Sequence, residues 1–131
     1  MKREIIHTDQ APAAIGPYSQ AVRIGHFLYT AGQVAIDPAE GKLVADEIGL
    51  QTERALRNLQ AILEAAGGSL RDVVKTTVFL QDISEFQAMN VVYKEFFMTD
   101  PTARSAIEVA GLPLGARVEI EAVAWLPNPV E

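Results

Sequence analysis

The chain has 131 residues, a formal net charge of −6 and no cysteine. That length suits one domain with a real core, and the mix of 49% hydrophobic and 21% charged residues is globular rather than disordered composition. The acidic balance, with its 11 Lys and Arg spread along the chain, argues against a nucleic-acid surface. The absence of cysteine excludes disulfides, thiolate nucleophiles and Cys-based zinc sites. The start, MKREIIHTDQ, has no apolar stretch behind its charges, and no segment nears the roughly 18 apolar residues of a membrane span. A cytoplasmic single domain over residues 1–131, with no membrane partner, is expected.

In chain order, residues 3–6 form a short strand candidate. Residues 11–17, with two prolines and Gly16, form a structured loop. Residues 19–24 and 27–34 read as two strands joined by a two-residue hairpin turn at Gly25-His26. Asp37 to Gly41 is a second loop, dense in turn residues. From about Asp46 to Ala66 the period becomes helical, with Leu56, Leu59, Ile62, Leu63 and Ala66 on one stripe and Glu53 placed to pair with Arg57. Gly67 and Gly68 stand where a left-handed C-terminal cap is expected. Residues 73–80 (VVKTTVFL) form a β-branched strand. Ser84 to Gln87 fits a capping box for a second helix that turns Phe86, Met89, Tyr93, Phe96 and Phe97 inward and stops at Asp100-Pro101. Asn90 shares that stripe and needs a polar partner, as a structural tether would.

The last segment, 101–125, holds two alternating runs joined by GLPLG. Val118, Ile120, Ala122 and Ala124 face one way, and Glu119, Glu121, Val123 and Trp125 the other. Paired as a hairpin, these runs would put Arg104, Glu108, Glu119 and Glu121 on one surface. The predicted order is β-β-β-α-β-α-β-β. It makes an α+β two-layer sandwich, with about six strands in a mixed sheet and both helices on one face. Val123 and Trp125 are ill suited to a solvated face, which points to an oligomer interface on the other.

No G-x-G-x-x-G after a strand, no P-loop and no G-x-S-x-G elbow occurs. His7 and His26 are the only histidines and both stand in polar turn contexts, which disfavours metal or imidazole chemistry. Carboxylate, guanidinium, phenol and hydroxyl chemistry remain. Arg104 beside a carboxylate strand can clamp a substrate carboxylate, and a Glu in a dry cleft can hold a water; a plain salt bridge between the two strands fits the same residues.

The stretch ARSAIEVAGLP followed by GARVEIEAVA resembles the signature of the Rid family (YjgF/RidA, reactive intermediate deaminases). AIGPYSQ at 14–20, LYTAGQ at 28–33, the helix 51–66, VKTTVFL at 74–80 and NVVYKEFF at 90–97 extend the resemblance over nearly the whole chain. It implies a chorismate-mutase-like fold, a homotrimer with active sites at subunit interfaces, no cofactor and no metal. The implied reaction is hydrolysis of 2-iminobutyrate and 2-iminopropanoate to 2-oxo acids and ammonia. By position, Arg104 corresponds to the carboxylate-binding arginine and Glu119 to the carboxylate that positions water. Tyr18 corresponds to the site tyrosine and Gly32 to a backbone contact. Asn90 and Ala106 complete the substrate-binding set, and Glu121 is left as a structural charge. Ala106 replaces the cysteine many members carry, and PTA precedes Arg104 where PA is commoner; both bear on substrate preference. Two other activities attached to relatives are weighed beside this one: a non-catalytic 2-oxo-acid sensor using the same pocket, and RNA cleavage, which the acidic balance opposes.

Overall fold

The computed structural model describes residues 2–130, so the two terminal residues of the expected 1–131 domain lie outside the described residues. The elements are β1 (Arg3–Ile6), β2 (Ala21–Thr30), β3 (Ile36–Asp37), β4 (Lys42–Leu43), α1 (Ile48–Ala65), β5 (Val73–Leu80), α2 (Phe86–Phe96), β6 (Ala103–Glu108) and β7 (Val118–Val130). Five strands form one sheet in the order β1-β2-β7-β5-β6, and β3-β4 form a separate two-stranded pair around the Asp37–Gly41 loop. Only the β5–β6 pairing is parallel, so the sheet is mixed. Both helices pack on one face, as the two amphipathic stripes require.

α1 forms where the apolar stripe predicts it. Leu56, Leu59, Ile62 and Leu63 are buried against Leu28, Ile120, Ala124 and Leu126 from the sheet. Its first turn is closed by Glu47, whose carboxylate accepts from the backbone N–H groups of Gly49 (2.7 Å) and Leu50 (2.8 Å). Those two bonds to otherwise orphaned donors hold the Glu47 carboxyl below its ordinary pKa. Glu47→Ala is expected to destabilise the fold by about 1 kcal/mol, read as a lower urea midpoint with an unchanged slope. The anticipated Glu53–Arg57 pair is not made. Arg57 instead bonds Gln60 and lies 4.8 Å over the Phe96 ring, which offers the guanidinium an apolar cover that a mobile surface carboxylate does not.

Three further expectations are corrected. Residues 21–30 are one strand, not two joined at Gly25-His26. Gly25 has positive φ (56°), but the chain does not reverse there: β2 runs on along β7, and the irregularity is taken up as a register shift between Gly25 and Phe27. His26 is then aimed at β7, where its ring stacks on Trp125 at 4.5 Å and Nδ1 lies 2.6 Å from the Leu126 carbonyl. With β3 and β4 counted, the chain has four strands before α1 rather than three, and of its seven strands five form the main sheet, close to the expected about six. The second helix is started by Asp82, which caps a 3-10 turn over Ile83–Glu85, and not by Ser84; Glu85, at its N-cap, makes no capping bond.

The largest correction concerns the expected 101–125 hairpin. β6 and β7 are not partners, because β5 lies between them. β5 has apolar or β-branched residues on both faces and suits the centre of a sheet, where both its edges are paired. The consequence is a change of face for Arg104. It sits opposite Thr76, which sits opposite Ala122, and both of those are buried beneath the helices. Glu119 is aligned with Phe79 and Ile107 on the other face. Arg104, Ala106 and Glu108 therefore belong to the helix side, whereas Glu119 and Glu121 belong to the open side.

Beside those charges the open side carries a large apolar patch. Ile5, Phe27, Tyr29, Ile107 and Trp125 are all exposed on it, Trp125 at 45%. Phe79 and Val123 lie half-buried between them.

Candidate active site

On the helix side, α2 holds Arg104 from three directions. Its Nη1 donates to Asn90 Oδ1 at 2.7 Å, and its Cζ lies 4.7 Å from the Tyr93 ring centroid and 5.3 Å from that of Phe86. Tyr93 is fixed in turn by a buried 2.6 Å hydrogen bond between its hydroxyl and Thr76 Oγ1. Asn90 thus finds the partner its place in the stripe calls for. The rings and the amide fix the guanidinium plane, and the nitrogens not bonded to Asn90 remain to meet a planar anion. Asn90, Tyr93, Lys94, Phe97, Thr102 and Arg104 line a cleft of about 520 Å³.

On the opposite side, Tyr18, Gly32 and Glu119 line a second cleft, of about 490 Å³. Three local arrangements build it. Gln33 and Ile120 exchange backbone hydrogen bonds at 2.8 and 3.0 Å, which lays the segment after β2 along β7. Gly32 then meets Glu119 so closely that a Cβ there would displace the carboxylate from its present position. The loop bearing Tyr18 is tied down by the buried Gln20, whose side chain accepts from Thr8 N (2.7 Å) and donates to the carbonyls of Thr8 (3.0 Å) and Pro12 (2.8 Å).

Burial, and then the like charge of Glu121 two residues along the same face, push the Glu119 pKa above the ordinary carboxylate value. A carboxyl so placed can hold a proton closer to neutrality than a surface glutamate can. Glu121→Gln is expected to bring the Glu119 pKa back toward the usual range, measured by a carbon-13 NMR titration of the side-chain carboxyl.

The expected site residues therefore fall into two groups. Arg104 and Asn90 are together, and Tyr18, Gly32 and Glu119 are together, but the sheet separates the groups within one chain. Ala106 packs against the helix-side core and lines neither cleft. Phe86, Tyr93 and Thr76 around Arg104, and Gln20 behind Tyr18, did not stand out in the sequence. The aromatics read as core residues, and Thr76 and Gln20 carry no local signal. Among the described residues no group of three or more His, Asp or Glu is placed to hold a metal ion, and no helix is long and apolar enough to cross a membrane.

A ring-braced guanidinium and a partly desolvated carboxyl each stand in a cleft of their own in a two-layer α+β fold. The family described as Endoribonuclease L-PSP matches residues 8–126, and the chain belongs to it. The human 2-iminobutanoate/2-iminopropanoate deaminase is 48% identical over 93% of this chain and 89% of its own length. Among solved structures, YyfA of Yersinia pestis, from the conserved Rid protein family, is 43% identical with a TM-score of 0.93 over 95% of this chain and 100% of that one. Escherichia coli TdcF with bound serine is 42% identical with a TM-score of 0.89, covering 93% and 98%.

Proposed function

We propose that this chain is a hydrolase of small 2-imino acids, converting 2-iminobutyrate and 2-iminopropanoate to the 2-oxo acids and ammonia, in a homotrimer whose sites lie between subunits. The observation that carries the reading is the division of the site. Arg104 and Glu119 are the two groups the reaction needs, and they open on opposite faces of one sheet. A substrate that touches both must sit between two chains, and the apolar patch of the open face supplies a surface for their contact. The human relative's name supports the reaction, and the serine bound by TdcF, a small molecule with one carboxylate, supports the ligand class.

In this mechanism Arg104 receives the substrate carboxylate through the guanidinium nitrogens left free by Asn90. The protonated imine carbon faces the Glu119 cleft of the neighbouring chain. Glu119 takes a proton from the attacking water as the carbon–oxygen bond forms and returns it to the nitrogen; as the carbon–nitrogen bond breaks and ammonia leaves, the carbonyl forms and the hydroxyl proton passes to the departing ammonia through solvent. The Gly32 backbone and the Tyr18 hydroxyl bind the substrate beside Glu119, and Asn90 holds Arg104 in place. Most of the rate then comes from orientation and one shuttled proton, because a protonated imine is already a good electrophile.

The test is the decay of 2-iminobutyrate generated in situ by a threonine dehydratase. Faster ammonia release than in buffer is expected, together with a solution mass about three times the 14.2 kDa of one chain. No acceleration would sink the reaction, and a monomeric mass would sink the shared site. The acid limb of kcat/KM is expected above the ordinary glutamate range, because Glu119 must be ionised to accept the first proton.

The serine held by TdcF also favours a second reading, a sensor that binds small carboxylates without turnover. Saturable 2-oxo-acid binding with no imine hydrolysis would select it.

A further inference from the structure

Leu114 has neither of the usual reasons for being a leucine. Its backbone lies at φ 60°, ψ 18°, a left-handed conformation that costs any residue with a Cβ. It is also 68% exposed, so it contributes nothing to the core that would offset the strain. What it does is line the Glu119 cleft, together with Ile15, which is 86% exposed. Val34, Ile36 and Pro113 continue the same wall. Much of the lining of a cleft of about 490 Å³ is therefore hydrocarbon, in the same cleft as the tyrosine and the carboxyl.

We propose that Leu114 and Ile15 select the substrate's side chain, so that the site favours 2-imino acids with long or branched alkyl side chains over 2-iminopropanoate. The inference deepens the hydrolase reading above and rests on it. Arg104 and Glu119 engage the carboxylate and the imine, which every 2-imino acid shares, so discrimination must come from what meets the side chain. An apolar wall favours each added methylene by about fourfold when that group leaves water. A methyl group alone leaves most of such a wall wet.

The test uses the imines formed in situ by an amino-acid oxidase from alanine, norvaline and leucine, with each decay followed as a kcat/KM. The wild-type protein is expected to favour the leucine-derived imine over the alanine-derived one. Leu114→Gly should lower that ratio at least fivefold, with a melting temperature unchanged or raised because glycine suits φ 60°. Ile15→Ser, at an exposed loop position, should move the ratio in the same direction. An unchanged ratio in both variants, or a wild type that favours the alanine-derived imine, overturns the proposal and leaves imine hydrolysis standing. A Leu114→Gly protein of altered oligomeric mass would assign the side chain to subunit contact, and so also overturns it. A wild type that accelerates none of the three imines overturns the hydrolase reading itself, and the proposal with it.

Discussion

Arg104→Ala is expected to lower kcat/KM for 2-iminobutyrate by about 30- to 150-fold or more, the equivalent of losing a charge-assisted bidentate pair at about 2–3 kcal/mol. The loss should not be a folding defect. Arg104 stands on edge strand β6, its guanidinium faces a cleft, and its removal leaves the Tyr93–Thr76 hydrogen bond intact. Circular dichroism and solution mass should match the wild type. Arg104→Lys is the sharper variant: it keeps the charge but has no planar fork to lie against Tyr93 and Phe86, and no fixed Nη1 for Asn90. It should recover only a small part of the loss. If the lysine variant restores wild-type kcat/KM, charge alone suffices and the bracing by α2 has no catalytic meaning.

Glu119→Gln is expected to lower kcat by about 10²- to 10⁴-fold, since the amide cannot take a proton from water. Its effect on stability should have the opposite sign. The folded-state pKa of Glu119 is raised above the 4.5 of a free glutamate, first by burial and then by Glu121. The favourable contribution of the protonated acid is therefore complete below about 4.5 and is lost as pH rises through the folded value. At neutral pH the wild type holds a partly desolvated carboxylate against a like charge. Glutamine removes that repulsion, so the variant should melt at a higher temperature at pH 7 and show no gain at pH 4. A protein that becomes both less active and less stable at pH 7 would argue that Glu119 is held for structure.

Periodicity carried the parts of the fold that depend on local pattern. The α1 stripe and the strand over 73–80 sit where the residues put them, because burial on one helix face or in a central strand leaves a strong signal. Strand pairing is not local. Nothing within 101–125 reveals that β5 will insert between β6 and β7, and that insertion decides which face Arg104 occupies. Gly25-His26 misled for a related reason: glycine signals positive φ, but whether the chain reverses there is decided by the strand across the ladder. The site shows the same split. The family resemblance singled out Arg104, Glu119, Tyr18 and Gly32, whereas the residues that brace them are ordinary apolar or polar residues whose roles depend on neighbours distant in sequence. Tyr93 reads as core until the guanidinium lies over it, and Leu114 as loop until its φ is known.

Under the proposed mechanism, the separation of Arg104 from Glu119 by the thickness of the sheet would also make activity a collective property. Chains carrying Arg104→Ala and chains carrying Glu119→Gln are each expected to be inactive alone, yet each retains the half that the other has lost. Dissociated, mixed in equal amounts and reassociated, they should form sites in which an intact arginine meets an intact glutamate. For random assembly in a closed ring that is about a quarter of the sites. A site built within one chain would stay silent in the same mixture.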